Sequence, residues 1–181
     1  MRLQAIALFV HILGVIATFS GLSMQQRAGS RLRKATTYAE ARPWSDVLAM
    51  TRPMVPSGAV MLVLTGAYLT TQVATPRPPV WIVVAIVAVV VMGILALAVV
   101  NRGFGAIAAG VAAGDGPLSG DAAGRITNRR LWSALGSANA AALGTLWLMT
   151  AKPGPLESVL VVTIAVLIGA VAGRRLGGPG G

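Results

Sequence analysis

The chain alternates long apolar runs with short polar intervals that carry most of its arginines. Five runs reach or approach the ~20 residues needed to cross a bilayer core. They cover about 3–23, 54–74, 79–101, 131–151 and 156–173. The third, from Trp81 to Val100, holds no charge and is dense in Val, Ile, Leu and Ala. Each such aliphatic residue favours insertion by about 0.3–0.6 kcal/mol at a helix centre. The fifth is the shortest but is uncharged from Ser158 to Gly173. Unpaired backbone groups are costly in hydrocarbon, so each run reads as a helix, and the strict alternation of a membrane barrel is missing. The expected fold is an all-α, polytopic membrane bundle of five transmembrane helices.

Composition agrees. Of 181 residues, 55% are hydrophobic and only 11% charged, against about 25% charged in soluble domains. A soluble globule of this size could not hide so much apolar surface. The lack of cysteine excludes disulfides, thiolate metal sites and cysteine catalysis. Residues 1–175 read as a single transmembrane domain and 176–181 as a Gly-rich flexible tail. The basic start of the first run would suit a signal peptide, but the larger basic cluster follows the apolar core, so the run reads as a retained helix.

The net charge of +10 raises nucleic acid as a partner, but position argues against it, because the arginines fill the gaps between spans and form no basic, aromatic-studded face. Arg27, Arg31, Arg33, Lys34, Arg42 and Arg52 lie in the first gap, Arg102, Arg125, Arg129 and Arg130 in the third, and Arg174 and Arg175 follow the last run. Only Arg2, Arg77 and Lys152 fall on the opposite side. Cytoplasmic loops collect Lys and Arg, so the N-terminus is expected outside and the C-terminus in the cytoplasm of a bacterial inner membrane. Trp81, Trp132, Trp147 and Tyr68 stand near run ends, as interfacial aromatics do. Thr75-Pro76-Arg77-Pro78-Pro79 and Lys152-Pro153-Gly154-Pro155 mark tight outer turns. On the inner side a surface helix is expected around Thr36–Met50, broken or restarted at Pro43, and Ala106–Ala113 is expected to extend the third span.

Helices associate in lipid through close backbone approach and polar contacts. The fourth run carries two small-residue rows, Ser133-Ser137-Ala141-Thr145 and Gly136-Ala140-Gly144, and the fifth carries Ala165-Gly169-Gly173. The expected bundle centres on the first, second and fourth spans, with the bulky third span facing lipid. Asn139 is expected to bond between helices.

His11, the one histidine, falls inside the first span, where an ionisable group is a functional candidate by default. Gly14 and Thr18 share its face, and a glycine would let a flat ring approach the backbone. One reading makes His11 an axial ligand of heme iron, with Met61 on the second span nearest in depth as a soft partner. The other makes it a neutral histidine bonded to a neighbouring hydroxyl or carbonyl. No metal other than heme iron suits the chain, since one histidine without cysteine cannot close a zinc shell.

His11-Ile12-Leu13-Gly14 leading to Gly21-Leu22, Leu64-Thr65-Gly66-Ala67-Tyr68-Leu69, and Leu148-Met149-Thr150-Ala151-Lys152-Pro153-Gly154 resemble a family of small predicted bacterial integral membrane proteins of unknown function. The first two blocks are more distantly similar to the copper-resistance D membrane family and to the heme-associated membrane protoporphyrinogen oxidase. The second resemblance implies heme b held by His11. The chain departs from that pattern after Gly21-Leu22, reading Ser23-Met24-Gln25-Gln26-Arg27 without a second histidine, and its third span has no lysine. The sequence therefore leads to a non-enzymatic structural or accessory membrane protein, associating with itself or a larger membrane complex. The rival reading is a heme-binding redox protein.

Overall fold

The computed structural model describes residues 2–72 and 77–176. The expected tail beyond Leu176, the last two residues of the second run and part of the following Pro-rich turn lie outside them. Among the described residues there are eight α-helices: α1 (Arg2–Leu32), α2 (Tyr38–Thr51), α3 (Met54–Thr71), α4 (Val80–Leu95), α5 (Arg102–Ala112), α6 (Gly120–Ile126), α7 (Arg129–Ala151) and α8 (Pro155–Leu176). A π turn, Ala96–Asn101, joins α4 to α5, so Val80–Ala112 is one continuous helical stretch. The expected extension of the third span is therefore present. No strand occurs among the described residues beyond an isolated bridge between Thr37 and Pro117.

Four helical stretches are long and apolar enough to cross a membrane: Arg2–Leu32, Tyr38–Thr71, Val80–Ala112 and Pro155–Arg175. The fourth expected span forms α7 but does not meet that measure. The reason lies in its composition. Arg129, Arg130, Ser133, Ser137, Asn139 and Thr145 dilute its apolar content, and its Leu, Ala and Ser positions are buried against α8, α4 and α1. A helix shielded by protein needs less apolar surface of its own than one facing lipid.

The packing also differs from the expected centre. Two tight antiparallel pairs, α1 with α3 and α7 with α8, are bridged by α4. The bridging helix still shows lipid a row of bulky residues, Val83, Val87, Val90, Val91 and Ile94. The small-residue rows explain the α7–α8 pair. A methyl group added at Gly136 would collide with the Gly169 carbonyl, and one at Gly173 with the Trp132 carbonyl. At that approach Ser133 and Ser137 donate to the Ala170 and Val166 carbonyls at 3.2 and 3.3 Å. Asn139 instead donates to Leu135 O of its own helix, because it stands about 200° round α7 from Ser137 and so off the face that meets α8. On α1 the buried stripe Gly14, Thr18, Gly21, Gln25, Ala28, Leu32 repeats every 3–4 residues, as a knobs-into-holes seam does.

α1 is longer than the expected 3–23. Its 31 residues span about 46 Å at 1.5 Å per residue, well beyond a hydrocarbon core of about 30 Å. Its last turns belong to a compact subassembly at the basic end. There the Trp132 ring lies on Gly29, 6.2 Å from Phe104 and under the Arg33 guanidinium at 4.2 Å. Its indole N–H donates to Ile126 O at 2.6 Å. Trp132 is 2% exposed, which corrects its expected interfacial place, whereas Trp147 is 57% exposed. Burial lowers the Arg33 pKa from its ordinary value, yet a guanidinium stays charged at any physiological pH.

α2 runs through Pro43 unbroken. Thr37 caps it by accepting from Glu40 N, and the Glu40 carboxylate accepts from the Thr36 N–H at 2.8 Å and hydroxyl at 3.1 Å, a reciprocal cap of the capping-box kind. The two basic-side connections are tied together. Tyr38 N bonds Gly116 O, Leu118 N bonds Thr36 O, and Arg42 reaches Gly114 O at 2.7 Å. Gly116 sits at φ +73°, inside the Asp115-Gly116-Pro117 turn that the sequence marks.

Candidate cavity around His11

Between α1, α3, α4 and α7 lies a cavity of about 230 Å³, which runs from Trp81 and Met149 at the end opposite the basic residues inward to Val55 and Met92. Its walls are almost wholly apolar. α1 contributes His11, Val15 and Phe19, α3 contributes Leu62, Gly66 and Leu69, α4 contributes Trp81, Ala85 and Met92, and α7 contributes Ala142, Leu146 and Met149. Three threonines interrupt them: Thr18, Thr70 and Thr145.

His11 is half-buried. Its Nδ1 lies 2.9 Å from Thr65 Oγ1, and Thr65 Oγ1 lies 2.5 Å from Met61 O. A carbonyl can only accept, so the threonine proton points to Met61, and Thr65 must accept from the ring. Nδ1 therefore carries the imidazole proton, and Nε2 of the neutral ring is left with its lone pair. The expectation that His11 bonds a hydroxyl of the second span is met, and it is Thr65 that supplies it.

The wall threonines follow the same logic. Thr18, Thr70 and Thr145 donate to the carbonyls of Gly14, Gly66 and Ala141 at 2.8, 2.7 and 2.9 Å. Each proton is committed within its own helix, so what the oxygens offer the cavity is acceptor capacity. The few polar atoms of this apolar hollow are therefore mostly acceptors, His11 Nε2 among them, with the Trp81 indole as a donor in its wall.

The residues singled out in the sequence are divided by the structure. His11 and Thr18 line the cavity. Gly14 does not, because α3 covers it: a methyl there would meet Met61 Cβ and the Gly58 carbonyl. Met61 is likewise absent from the walls, its Cβ lying over Gly14. The nearest thioethers on the hollow are Met92 and Met149. Neither they nor Thr70 stood out, and Trp81 and Thr145 were read only as an interfacial aromatic and a packing position, since a wall drawn from four helices leaves no local signature. A clue lay in Leu64-Thr65-Gly66, where a hydroxyl and a missing side chain sit on adjacent positions of the span facing His11.

Residues 5–153, which include every residue of this cavity, match a family model described as "Predicted integral membrane protein (DUF2269)". No curated protein and no solved structure matches the chain.

Proposed function

Given that the chain belongs to the DUF2269 family of predicted integral membrane proteins, we propose that it is a five-span protein of the bacterial inner membrane that serves as a non-enzymatic accessory subunit. α7 is the fifth span in this reading, carried through the bilayer by α8, α4 and α1 around it. The basic end, with the α2, α5 and α6 subassembly, faces the cytoplasm; the N-terminus and the cavity end lie toward the outside. The observation that carries the accessory role is where the polar side chains point. Thr18, Ser133, Ser137, Asn139 and Thr145 all bond helix backbone, so the interior's polar chemistry is committed to holding shape. The role includes association with a second copy or a larger membrane complex through the apolar faces of α1 and α8.

The native chain lacks cysteine, which makes topology directly testable. Ser30→Cys is expected to resist a membrane-impermeant maleimide in intact cells, and Thr150→Cys to react. Reaction at Ser30→Cys from outside would invert the orientation. Protection of Thr150→Cys in cells together with reaction in inverted vesicles would remove α7 as a span. Cross-linking in membranes is expected to give a discrete larger species; a monomer alone at every cross-linker length would defeat the accessory reading.

Heme binding through His11 is the second reading, favoured by Nδ1–H donation to Thr65, since iron-binding histidines present one nitrogen while the other is anchored. The walls as they stand do not fit the group. About 230 Å³ falls below the roughly 300–1,000 Å³ of sites for drug-sized ligands, and Met61 is outside. A Soret band in detergent-purified protein, lost in His11→Ala, would establish it; a colourless preparation after heme-supplemented expression would remove it.

A further inference from the structure

We infer that the hollow around His11 is a binding site for a small lipid-soluble phenol, a hydroquinone included, whose hydroxyl donates to His11 Nε2. Three independent observations converge on that class. The first is polarity. Nε2 is fixed as an acceptor by the Thr65–Met61 chain, and the wall threonines have already given their protons to carbonyls. A donor is therefore received at Nε2 of the neutral ring, where a ketone or ether oxygen would face an acceptor; the wall's donor, the Trp81 indole, stands at the start of α4.

The second is size. An apolar cavity of about 150 Å³ takes up benzene, so about 230 Å³ accommodates one ring with a short alkyl substituent. The third is the wall itself. It offers a ring face and a thioether toward each end, Trp81 with Met149 and Phe19 with Met92, the neighbours that aromatic rings favour. Among hydroxyl compounds a phenol is the stronger donor, its pKa lying near 10 as in tyrosine, and an imidazole lone pair is a fitting acceptor. The wall also explains Gly66. Its missing side chain leaves space beside the imidazole, where an added methyl would stand 3.4 Å from His11 Cε1.

The test uses the full chain in lipid nanodiscs, with empty nanodiscs as the partition reference. The probes are 4-propylphenol, its methyl ether 4-propylanisole, propylbenzene and 1-hexanol, followed by equilibrium dialysis. Saturable uptake of the phenol is expected, about 3- to 10-fold tighter than the ether or the hydrocarbon, the range one neutral hydrogen bond gives. In His11→Phe the ring shape stays and the preference is expected to vanish, while Gly66→Leu should abolish uptake of all four. Nitrogen-15 NMR of histidine-labelled protein should show the Nδ1–H tautomer, with the Nε2 resonance moving on addition of the phenol but not the ether. Should His11→Phe fail to fold, Thr65→Val releases the Nδ1 proton from its anchor and is expected to weaken the preference. Equal affinity for phenol and ether, a preference that survives His11→Phe, or hexanol binding as tightly as the phenol would each overturn the assignment. The outcome is separable from the topology and accessory readings, which the labelling and cross-linking experiments address on their own.

Discussion

The two ends of this bundle are built to different rules. At the basic end Leu22, Leu32, Leu48, Phe104, Ile107, Leu135 and Trp132 are essentially sealed, covered by six helices and two tied connections. Toward the other end Phe9 and Leu64 are 61% and 67% exposed, and a cavity opens between the helices, reaching inward to Val55 and Met92. Hydrophobic burial explains the first, since that end extends past the hydrocarbon and must exclude water. It does not explain the second. Lipid tails are as apolar as leucine, so nothing drives those side chains together except close packing and hydrogen bonds. The lesson is that a hollow costs less where the alternative neighbour is lipid, and binding space is found at the end where cohesion is weakest.

The sharpest way to break that contrast is to remove the packed end's central side chain. Trp132→Ala is expected to destabilise by about 3–5 kcal/mol, as large aromatic truncations in cores do, read from SDS-induced unfolding in mixed micelles by circular dichroism. A loss under about 1 kcal/mol, the range of ordinary surface changes, would mean that the basic end is not a core. Next come two glycines given the same substitution. Gly136→Ala drives a methyl into the Gly169 carbonyl and is expected to cost about 1–3 kcal/mol. Gly66→Ala meets only His11 Cε1 at ordinary contact distance, and the gain in helix propensity should leave it neutral or stabilised by up to about 1 kcal/mol. Equal costs at the two sites would erase the proposed difference between seam and hollow.

The smallest effect belongs to Glu40. Its carboxyl pKa is lowered chiefly by the Thr36 backbone N–H, then by the Thr36 hydroxyl. A depressed folded value means that its contribution is complete above the unfolded glutamate pKa and fades as pH falls through the lower folded one. Unfolding of wild type from pH 6 down to 3 is therefore expected to show a slight loss that Glu40→Gln lacks. Parallel curves for the two proteins would dismiss the cap as a source of acid sensitivity.

How far the sequence reaches follows from the same contrast. Helix positions were legible because backbone groups in lipid leave one choice, and the Gly136-Ala140-Gly144 row marked α7 for close approach, although the expected centre left out α8, the helix that makes it. Trp132 was misread because an aromatic at a span's start looks alike whether it meets headgroups or sits on Gly29 beneath Arg33. The association of α1 with α3 was expected, both being placed at the centre, but its register was not: Gly14 suggests open space, and only the chain crossing it shows that Met61 fills that space. His11 was legible as a candidate, whereas its tautomer depends on Thr65, 54 positions away.

The π turn between α4 and α5 has a consequence for tolerance to insertions and deletions. From Met92 the buried positions advance four at a time, through Ala96 and Val100 to Phe104, a stride that would drift round an ordinary α-helix at about 100° per residue. The wide turn absorbs that drift and keeps upstream and downstream stretches in phase. Deleting one residue within Ala96–Asn101 while the rest stays helical would swing Phe104, Ile107 and Val111 by roughly a quarter turn, out of the basic-end core, although every residue of that core would still be present.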